Sequence, residues 1–491
     1  MTKTAVALAA ALLAATLAGC AGGPGERPVA GAAPSQSECS LAREEHPKLI
    51  KQFGGEVADA NIRNYVASVG RRVAARSEMP DIDWHFTVLN SDIVNAFALP
   101  CGYVYITRGL LSLAGSEAEL AGVLGHEAGH VTARHTAQRM ERGNAAAVGA
   151  TILGAAVGVL TGSGAAAQVA AQAAGAGAQV YLAGYSRDQE FQADELGVVY
   201  LSRASYDPRS MATFLEKLQE DSRLTAELMG KPEAADAFSI MQSHPRTPDR
   251  VRKAIEEAGD VAHVANPRIG REEYLRVIDG MAWGGDPDSG FVKNHVFIHP
   301  SLRFKFAVPP GFRMFNGESA VAALGPDNTR VIFDRVGRAS EAGAAPLVNA
   351  LRQAQFQNVE QITVDRLPAA TGARTVQTRD GQRLDLRTVL IRGDQDVVWR
   401  FQFITPPSVT ARYNDAFRAT TYSFDQLTPQ QAAAERPFRI RLARVGASDS
   451  QESIARRMAP SDLPLRRFQV LNGLKPQDRL QPGQIVKIIT E

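Results

Sequence analysis

Between residues 49 and 76 apolar side chains recur three and four positions apart, at Ile50, Phe53, Val57, Ile62, Tyr65, Val66, Val69 and Val73. This spacing predicts an amphipathic helical entry to a folded domain. The pattern then shortens. Trp84 to Leu89, Ala96 to Leu99 and Tyr103 to Thr107 read as strands, with Pro100 and Gly102 as punctuation, and Pro100 suits an edge position. A helix with legible ends follows: Ser116 and Glu119 have the spacing of a capping box and Gly143 lies past the last turn, so a helix is expected over 117–141. Residues 144–186 contain no charged side chain, which fits either a membrane hairpin or an alanine-rich buried helix pair. Small residues permit close helix packing but carry little insertion energy, and this favours the soluble hairpin.

After Pro267 the pattern changes again. Short β-type runs (Val296 to Ile298, Leu302 to Val308, Arg330 to Phe333, Arg383 to Ile391, Val397 to Phe403) alternate with helix candidates near 346–356 and 409–419, the signature of a separate α+β domain. From Pro437 a small module is expected, with a helix over Ser450 to Met458. The length of 491 residues suits several domains. The expected fold is α+β multidomain: a mainly α-helical domain with a small edge sheet over 45–265, a linker over 266–291, a sandwich-like α+β domain over 292–427 and the small module over 437–491.

Charge removes one class of partner. The 54 basic and 52 acidic residues nearly cancel and no long basic run occurs, so nucleic acid is not an expected partner. The N-terminus sets the compartment. Lys3 precedes an uncharged run from Thr4 to Gly19, shorter than the ~20 residues of a spanning helix, which reads as an export signal over 1–19. The run ends in Leu17-Ala18-Gly19-Cys20, which resembles the lipobox of bacterial lipoproteins. That resemblance implies acylation of Cys20, and because residue 21 is alanine rather than aspartate, an outer-membrane lipoprotein facing the periplasm. The Gly-, Pro-, Ala- and Ser-rich stretch that follows is expected to be a flexible tether within 20–44. Cys39 and Cys101 remain in an oxidising space. They can form a disulfide, persist as two buried thiols, or place Cys39 over a metal as a latency ligand.

The chemistry centres on His126-Glu127-Ala128-Gly129-His130. On a helix His126 and His130 project from one face, where two imidazoles can meet one tetrahedral Zn²⁺, and Glu127 beside them is the candidate general base. A catalytic zinc needs a third protein ligand and an open position. The segment Ser186-Arg187-Asp188-Gln189-Glu190-Phe191-Gln192-Ala193-Asp194 offers Glu190, with Asp194 four residues on along the same face.

Together with Asn95-Ala96-Phe97-Ala98-Leu99-Pro100 and Ser243-His244-Pro245, these segments resemble, in the same order, the motifs of the HtpX- and BepA-like gluzincin metallopeptidases over about residues 45–260. The resemblance implies His126, His130 and Glu190 as ligands of one zinc ion, Glu127 as base, and Asp194 as the acceptor that orients a ligand histidine. It also implies His244 on a loop over the site, either as a plug on the zinc or as a donor to the developing oxyanion. Asn95, Ala96, Phe97 and Ala98 would lie on an edge strand that receives an extended peptide. Cys101 stands where the family usually has glycine. His135, nine residues after His126, is expected to be a structural hydrogen-bonding histidine.

The implied function is zinc-dependent endoproteolysis of unfolded or misassembled envelope proteins, with a chaperone or outer-membrane assembly scaffold as the alternative. The 437–491 segment resembles a LysM module, which implies peptidoglycan as a partner. Val445-Gly446-Ala447-Ser448-Asp449-Ser450 replaces the usual Pro-Gly-Asp-Thr opening, however, so a structural cap is the competing reading. The 292–425 segment faintly resembles a PsbP-like sandwich.

Overall fold

The computed structural model describes residues 31, 33–141, 185–228, 232, 244, 248–260, 264–317, 320–339, 341–378, 381–460 and 462–491. The expected signal, Cys20 and the uncharged 144–184 stretch lie outside the described residues. Among the described residues no helix is long and apolar enough to cross a membrane.

The helical entry is two helices rather than one, α1 (Gln36–Gln52) and α2 (Ala60–Ala74). Helix α1 starts inside the expected tether, because Ser35 and Glu38 form a reciprocal capping box there. Strands β1 (His85–Leu89), β2 (Ala96–Leu99) and β3 (Tyr103–Thr107) form a sheet in the order β1-β3-β2, with β2 at one edge. Alternation explains why β2 is apolar throughout. Phe97 and Leu99 pack with Ala42 and Leu49 of α1 and with Phe53 just past its end, whereas Ala96 and Ala98 face the main core with Val66, Val69 and Val73 of α2.

Cys39 of α1 is bonded to Cys101 in the turn after β2, so neither the free-thiol reading nor the metal-covering reading of Cys39 holds. Cys101 has φ 64°, in the left-handed region that favours glycine. That conformation costs roughly 1–2 kcal/mol for a residue with a Cβ. Closing a loop of 62 residues' separation stabilises by about 4 kcal/mol in the chain-entropy picture, so the cross-link more than offsets the strain.

Helices α3 (Arg108–Leu113) and α4 (Glu117–Thr132) follow. Ser116 caps α4 as expected, but Glu119 does not close the box: its Oε2 accepts from the Gly115 N–H and from Lys217 Nζ, both at 2.7 Å. Nor does the helix run to 141. It stops at Thr132, Arg134 takes φ 53°, and α5 (His135–Glu141) restarts in a new direction. Arg134 Nη2 donates to Glu38 of α1 at 2.8 Å, which holds the break in place.

Helices α6 (Arg187–Arg203), α7 (Ser210–Leu228), α8 (Pro248–Asp260) and α9 (Arg271–Ile278) complete the first unit. Helix α9 lies in the stretch expected to be a linker, yet Tyr274, Leu275 and Ile278 form a buried stripe and the Tyr274 hydroxyl donates to Leu111 O.

The α+β expectation is met by two sheets. A seven-stranded antiparallel sheet contains β9 (Arg330–Arg338), β12 (Arg383–Arg392) and β13 (Val397–Thr405), and a four-stranded sheet contains β5 (Val296–His299) and β6 (Phe304–Ala307). Phe297, Phe304 and Phe306 of the smaller sheet meet Phe333, Phe401 and Phe403 of the larger in one aromatic core.

The C-terminal module pairs β15 (Arg439–Arg444) with β16 (Ile485–Thr490) around α13 (Gln451–Ala455) and α14 (Pro464–Asn472). It shares the core of the first unit: Phe438, Ile440, Ile454, Phe468 and Val486 cluster with Leu111, Leu113 and Phe214. Its Lys487, 0% exposed, donates to the carbonyls of Ser112, Leu113 and Ala114 at 2.6, 3.1 and 2.7 Å. These are the orphan carbonyls at the end of α3, where a cation also complements the helix dipole. Lys487→Met leaves them buried without a donor, a cost of ~1–3 kcal/mol. A fall in the thermal unfolding midpoint is the expected outcome, and an unchanged midpoint would show that the module is merely appended.

Candidate metal centre

Every residue of α4 is buried, and the four-residue step from His126 to His130 turns both imidazoles to one face. Glu190 lies early in α6, whose start is fixed by a capping box between Ser186 and Gln189, and Asp194 follows one turn later. What brings the two helices together is the lack of side chains between them. A Cβ on Gly129 would stand 3.1 Å from Ala193 O, and one on Gly197 would stand 3.0 Å from His126 N. Glycine at these two positions allows the close backbone approach that the carboxylates need to reach the imidazoles.

His126 Nε2 lies 3.1 Å from His130 Nε2 and 3.1 Å from His244 Nδ1. Glu190 Oε1 lies 2.9 Å from His244 Nδ1 and 3.4 Å from His130 Nε2. Each of the four residues contributes one ligand atom to a group within 4.8 Å, and all four are buried. The donor set fits zinc: imidazole nitrogens and one carboxylate make up the usual three-ligand catalytic site. Orphaned polar atoms say the same. Both Glu127 oxygens, His244 Nε2, His126 Nδ1 and Glu190 Oε2 are buried without a well-formed hydrogen bond among the described residues, although His244 Nε2 stands 3.4 Å from Glu127 Oε1, His126 Nδ1 2.9 Å from Asp194 Oδ1 and Glu190 Oε2 2.5 Å from Arg250 Nη1. Such an arrangement costs free energy unless another group completes it.

The outer nitrogens of the two α4 histidines are held differently. His126 Nδ1 is 2.9 Å from Asp194 Oδ1. His130 Nδ1 is 2.8 Å from His135 Nδ1, and His135 Nε2 is 3.1 Å from Gln192 Oε1. If His130 keeps its Nε2 lone pair for the site, its Nδ1–H donates to His135, which in turn donates to Gln192. His135 is therefore a structural hydrogen-bonding histidine, as expected, but its structural task is to hold His130. Helix α5 can do this only because α4 breaks at Arg134. Tyr185 stacks on His130 with ring centroids 3.8 Å apart.

Charge is crowded here. Burial pushes the Glu127 carboxyl up, against the pull of His244 and His126. Burial also works to raise Glu190, but Arg250, His244 and His130 together hold it well below the usual carboxylate range. Asp194 is likewise held down against burial, by Arg250 and His126. Burial holds the His130 imidazole well below its usual value. For His244 burial acts downward, and Glu190 and Glu127 outweigh it. A bound divalent ion would be the largest charge present and would reset each of these balances.

Of the expected site residues, His126, Glu127, His130, Glu190, Asp194 and His244 come together. Asn95 and Ala96 to Ala98 lie along β2, the sheet edge, and a small pocket lined by Ala98, Pro100, Cys101, His130 and Arg134 links the end of that edge to α4. Gln192, Tyr185 and Arg250 were not expected. Gln192 carries no metal-binding signal of its own, and six positions separate Arg250 from His244 with nothing in the spacing to pair it with Glu190 or Asp194.

Residues 61–258 match peptidase family M48, and residues 443–488 match the LysM domain. The beta-barrel assembly-enhancing protease of Yersinia pestis is 31% identical over 241 residues, covering 48% of this chain and 46% of that protein. The mitochondrial metalloendopeptidase OMA1 of Schizosaccharomyces pombe is 31% identical over 222 residues, covering 45% of this chain and 60% of that protein. The chain spans about half the length of the curated relatives it matches. Among solved structures, cyanobacterial PsbP from Synechocystis aligns at 12% identity over 28% of this chain and 94% of that chain, with a TM-score of 0.23, a likeness that carries no argument.

Proposed function

We propose that this chain, with an M48 peptidase domain over residues 61–258 and a LysM domain over 443–488, is a zinc-dependent endopeptidase of the bacterial envelope acting on unfolded or misassembled envelope proteins. The observation that carries the reading is the buried convergence of His126, His130, Glu190 and His244 beside Glu127, whose oxygens make no hydrogen bond among the described residues. In this reading His126, His130 and Glu190 hold the ion. Zinc supplies Lewis acidity there, polarising a carbonyl and acidifying a water. Glu127 takes the proton from the attacking water and delivers it to the leaving amine. Asp194 keeps His126, and His135 with Gln192 keeps His130, in the tautomer whose Nε2 lone pair faces the ion. The edge of β2, whose residues are buried in this structure, pairs with an extended peptide through its backbone once it is uncovered, which suits cleavage with little sequence demand.

Cleavage of a casein-type substrate by purified soluble protein tests the reading: activity abolished by a chelator and restored by zinc is expected. Chelator-insensitive cleavage would overturn it, and no cleavage by zinc-loaded protein would favour the chaperone or assembly-scaffold reading.

One observation keeps latency in view. His244 Nδ1 sits among the candidate ligands, where it would occupy the position that water needs. As a plug, His244→Ala raises the cleavage rate with zinc retained. As a transition-state donor, it lowers kcat by roughly 10² to 10³-fold. The buried position of His244 against Glu190 and His126 supports the plug, and an increased rate is the expected result. An unchanged rate with unchanged zinc would remove both roles.

For location, the lipobox-like Leu17-Ala18-Gly19-Cys20 supports an outer-membrane lipoprotein facing the periplasm. Cys20→Ser is expected to lose acylation and to leave the outer-membrane fraction, and a variant still in that fraction would require another anchor. The LysM domain supports peptidoglycan as a further partner, reached while the module stays docked on the peptidase.

A further inference from the structure

Arg250 lies outside the group of candidate ligands, yet it touches two carboxylates of the site at once. Its Nε donates to Asp194 Oδ2 and its Nη2 to Asp194 Oδ1, both at 2.7 Å, and its Nη1 forms an ion pair with Glu190 Oε2 at 2.5 Å. The guanidinium is 4% exposed, Asp194 2% and Glu190 0%. It comes from α8, which packs directly against α6.

We propose that Arg250 is the positioning residue of the metal centre, a proposal that rests on the zinc reading above. Its rigid fork takes Asp194 bidentately and brings Nη1 into ion-pair contact with Glu190 Oε2. Glu190 Oε2, 3.7 Å from His126 Nε2, is engaged by Arg250, which leaves Oε1, the oxygen that faces His130 and His244, for the ion. Asp194 is held where Oδ1 also meets His126 Nδ1. One side chain therefore sets the denticity of one ligand and the orientation of another.

Charge closes in the same arrangement. Glu127, Glu190 and Asp194 bring three carboxylates into a water-poor interior, and a divalent ion with Arg250 supplies the matching positive charge. Unpaired, such carboxylates are costly to bury.

Two roles for Arg250 predict opposite signs. If it is only a counter-charge, removing a cation next to the site makes zinc bind more tightly. If it positions Glu190 and Asp194, removal weakens zinc binding although the field becomes more negative, and lysine, with the charge but not the planar fork, does not rescue. Loss of a partner that orients a ligand typically costs 10- to 100-fold in metal affinity.

The experiment is zinc affinity by competition with a chromophoric chelator, and the visible spectrum of the Co²⁺-substituted full chain, for wild type, Arg250→Met and Arg250→Lys. Circular dichroism in chelator serves as the fold check, and Arg250→Lys carries the test should Arg250→Met fail to fold. About 10- to 100-fold weaker zinc binding in both variants, with a changed Co²⁺ spectrum as Glu190 Oε2 becomes free to approach the ion, is expected. Equal or tighter binding in a folded variant, or full recovery of affinity and spectrum by lysine, overturns the proposal and leaves the zinc reading standing. Failure of the wild type itself to bind zinc overturns both.

Discussion

Glu127→Gln is expected to lower proteolytic turnover by about 10² to 10⁴-fold, the range that a positioned general base contributes, while leaving the zinc content unchanged. Glutamine has the size of glutamate, so the packing of α4 is preserved, and Glu127 is not among the proposed ligands. What is lost is the capacity to accept a proton. The wild-type carboxylate is fully buried, neither of its oxygens has a hydrogen-bond partner among the described residues, and His244 Nε2 stands 3.4 Å from Oε1. A buried carboxylate left so unencumbered is available for a water and a peptide nitrogen. Initial rates on a casein-type substrate, with metal content measured on the same samples, check the expectation. Turnover close to wild type in the zinc-loaded variant would remove Glu127 from the mechanism.

The second large effect is expected from His130→Ala: loss of zinc from about one ion per chain to a trace, and of activity with it. His130 is 1% exposed and its ring is fixed on three sides, by His135 at Nδ1, by the stacked Tyr185 and by the neighbouring His126. Alanine removes one of the three proposed protein ligands and the ring on which Tyr185 stacks. His126 and Glu190 remain, with only His244 of the same group to complete the set, and a site that trades its helix-borne imidazole for the proposed plug is expected to bind zinc far more weakly. Metal analysis after dialysis against a weak chelator gives the answer. Undiminished zinc would place the ion elsewhere.

These expectations draw on residues that differ in how visible they are along the chain. The pair His126 and His130 and the pair Glu190 and Asp194 are local patterns, because a helix repeats every 3.6 residues and four-residue spacing is spatial proximity on one face. Strands β1 to β3 are legible as short apolar runs punctuated by Pro100 and Gly102, and β13 by its alternation with a period of two. The end of α4 was not. Nothing in Ala133-Arg134 forbids helix, and the chain turns there because Arg134 is drawn to Glu38 on another element. The same holds for α9, whose short apolar stripe acquires meaning only when Leu111 lies opposite Tyr274.

The sequence by itself determined which residues could serve as metal ligands, the helical carriage of each half-site and the α+β architecture of the middle segment, which depend on short-range periodicity and on residue type, and it carried the likeness of the C-terminal module to LysM. Only the tertiary structure decided that Gly129 and Gly197 let α4 and α6 touch, that Cys39 closes on Cys101, that His135 and Gln192 hold His130, and that Arg250 holds Glu190 and Asp194. It also decided that Lys487 of the C-terminal module caps α3 of the first unit. Each of these contacts joins positions that no helical or strand period relates. They form because burial of apolar surface first brings the elements together, after which every buried polar group must find a partner wherever the packing has placed one.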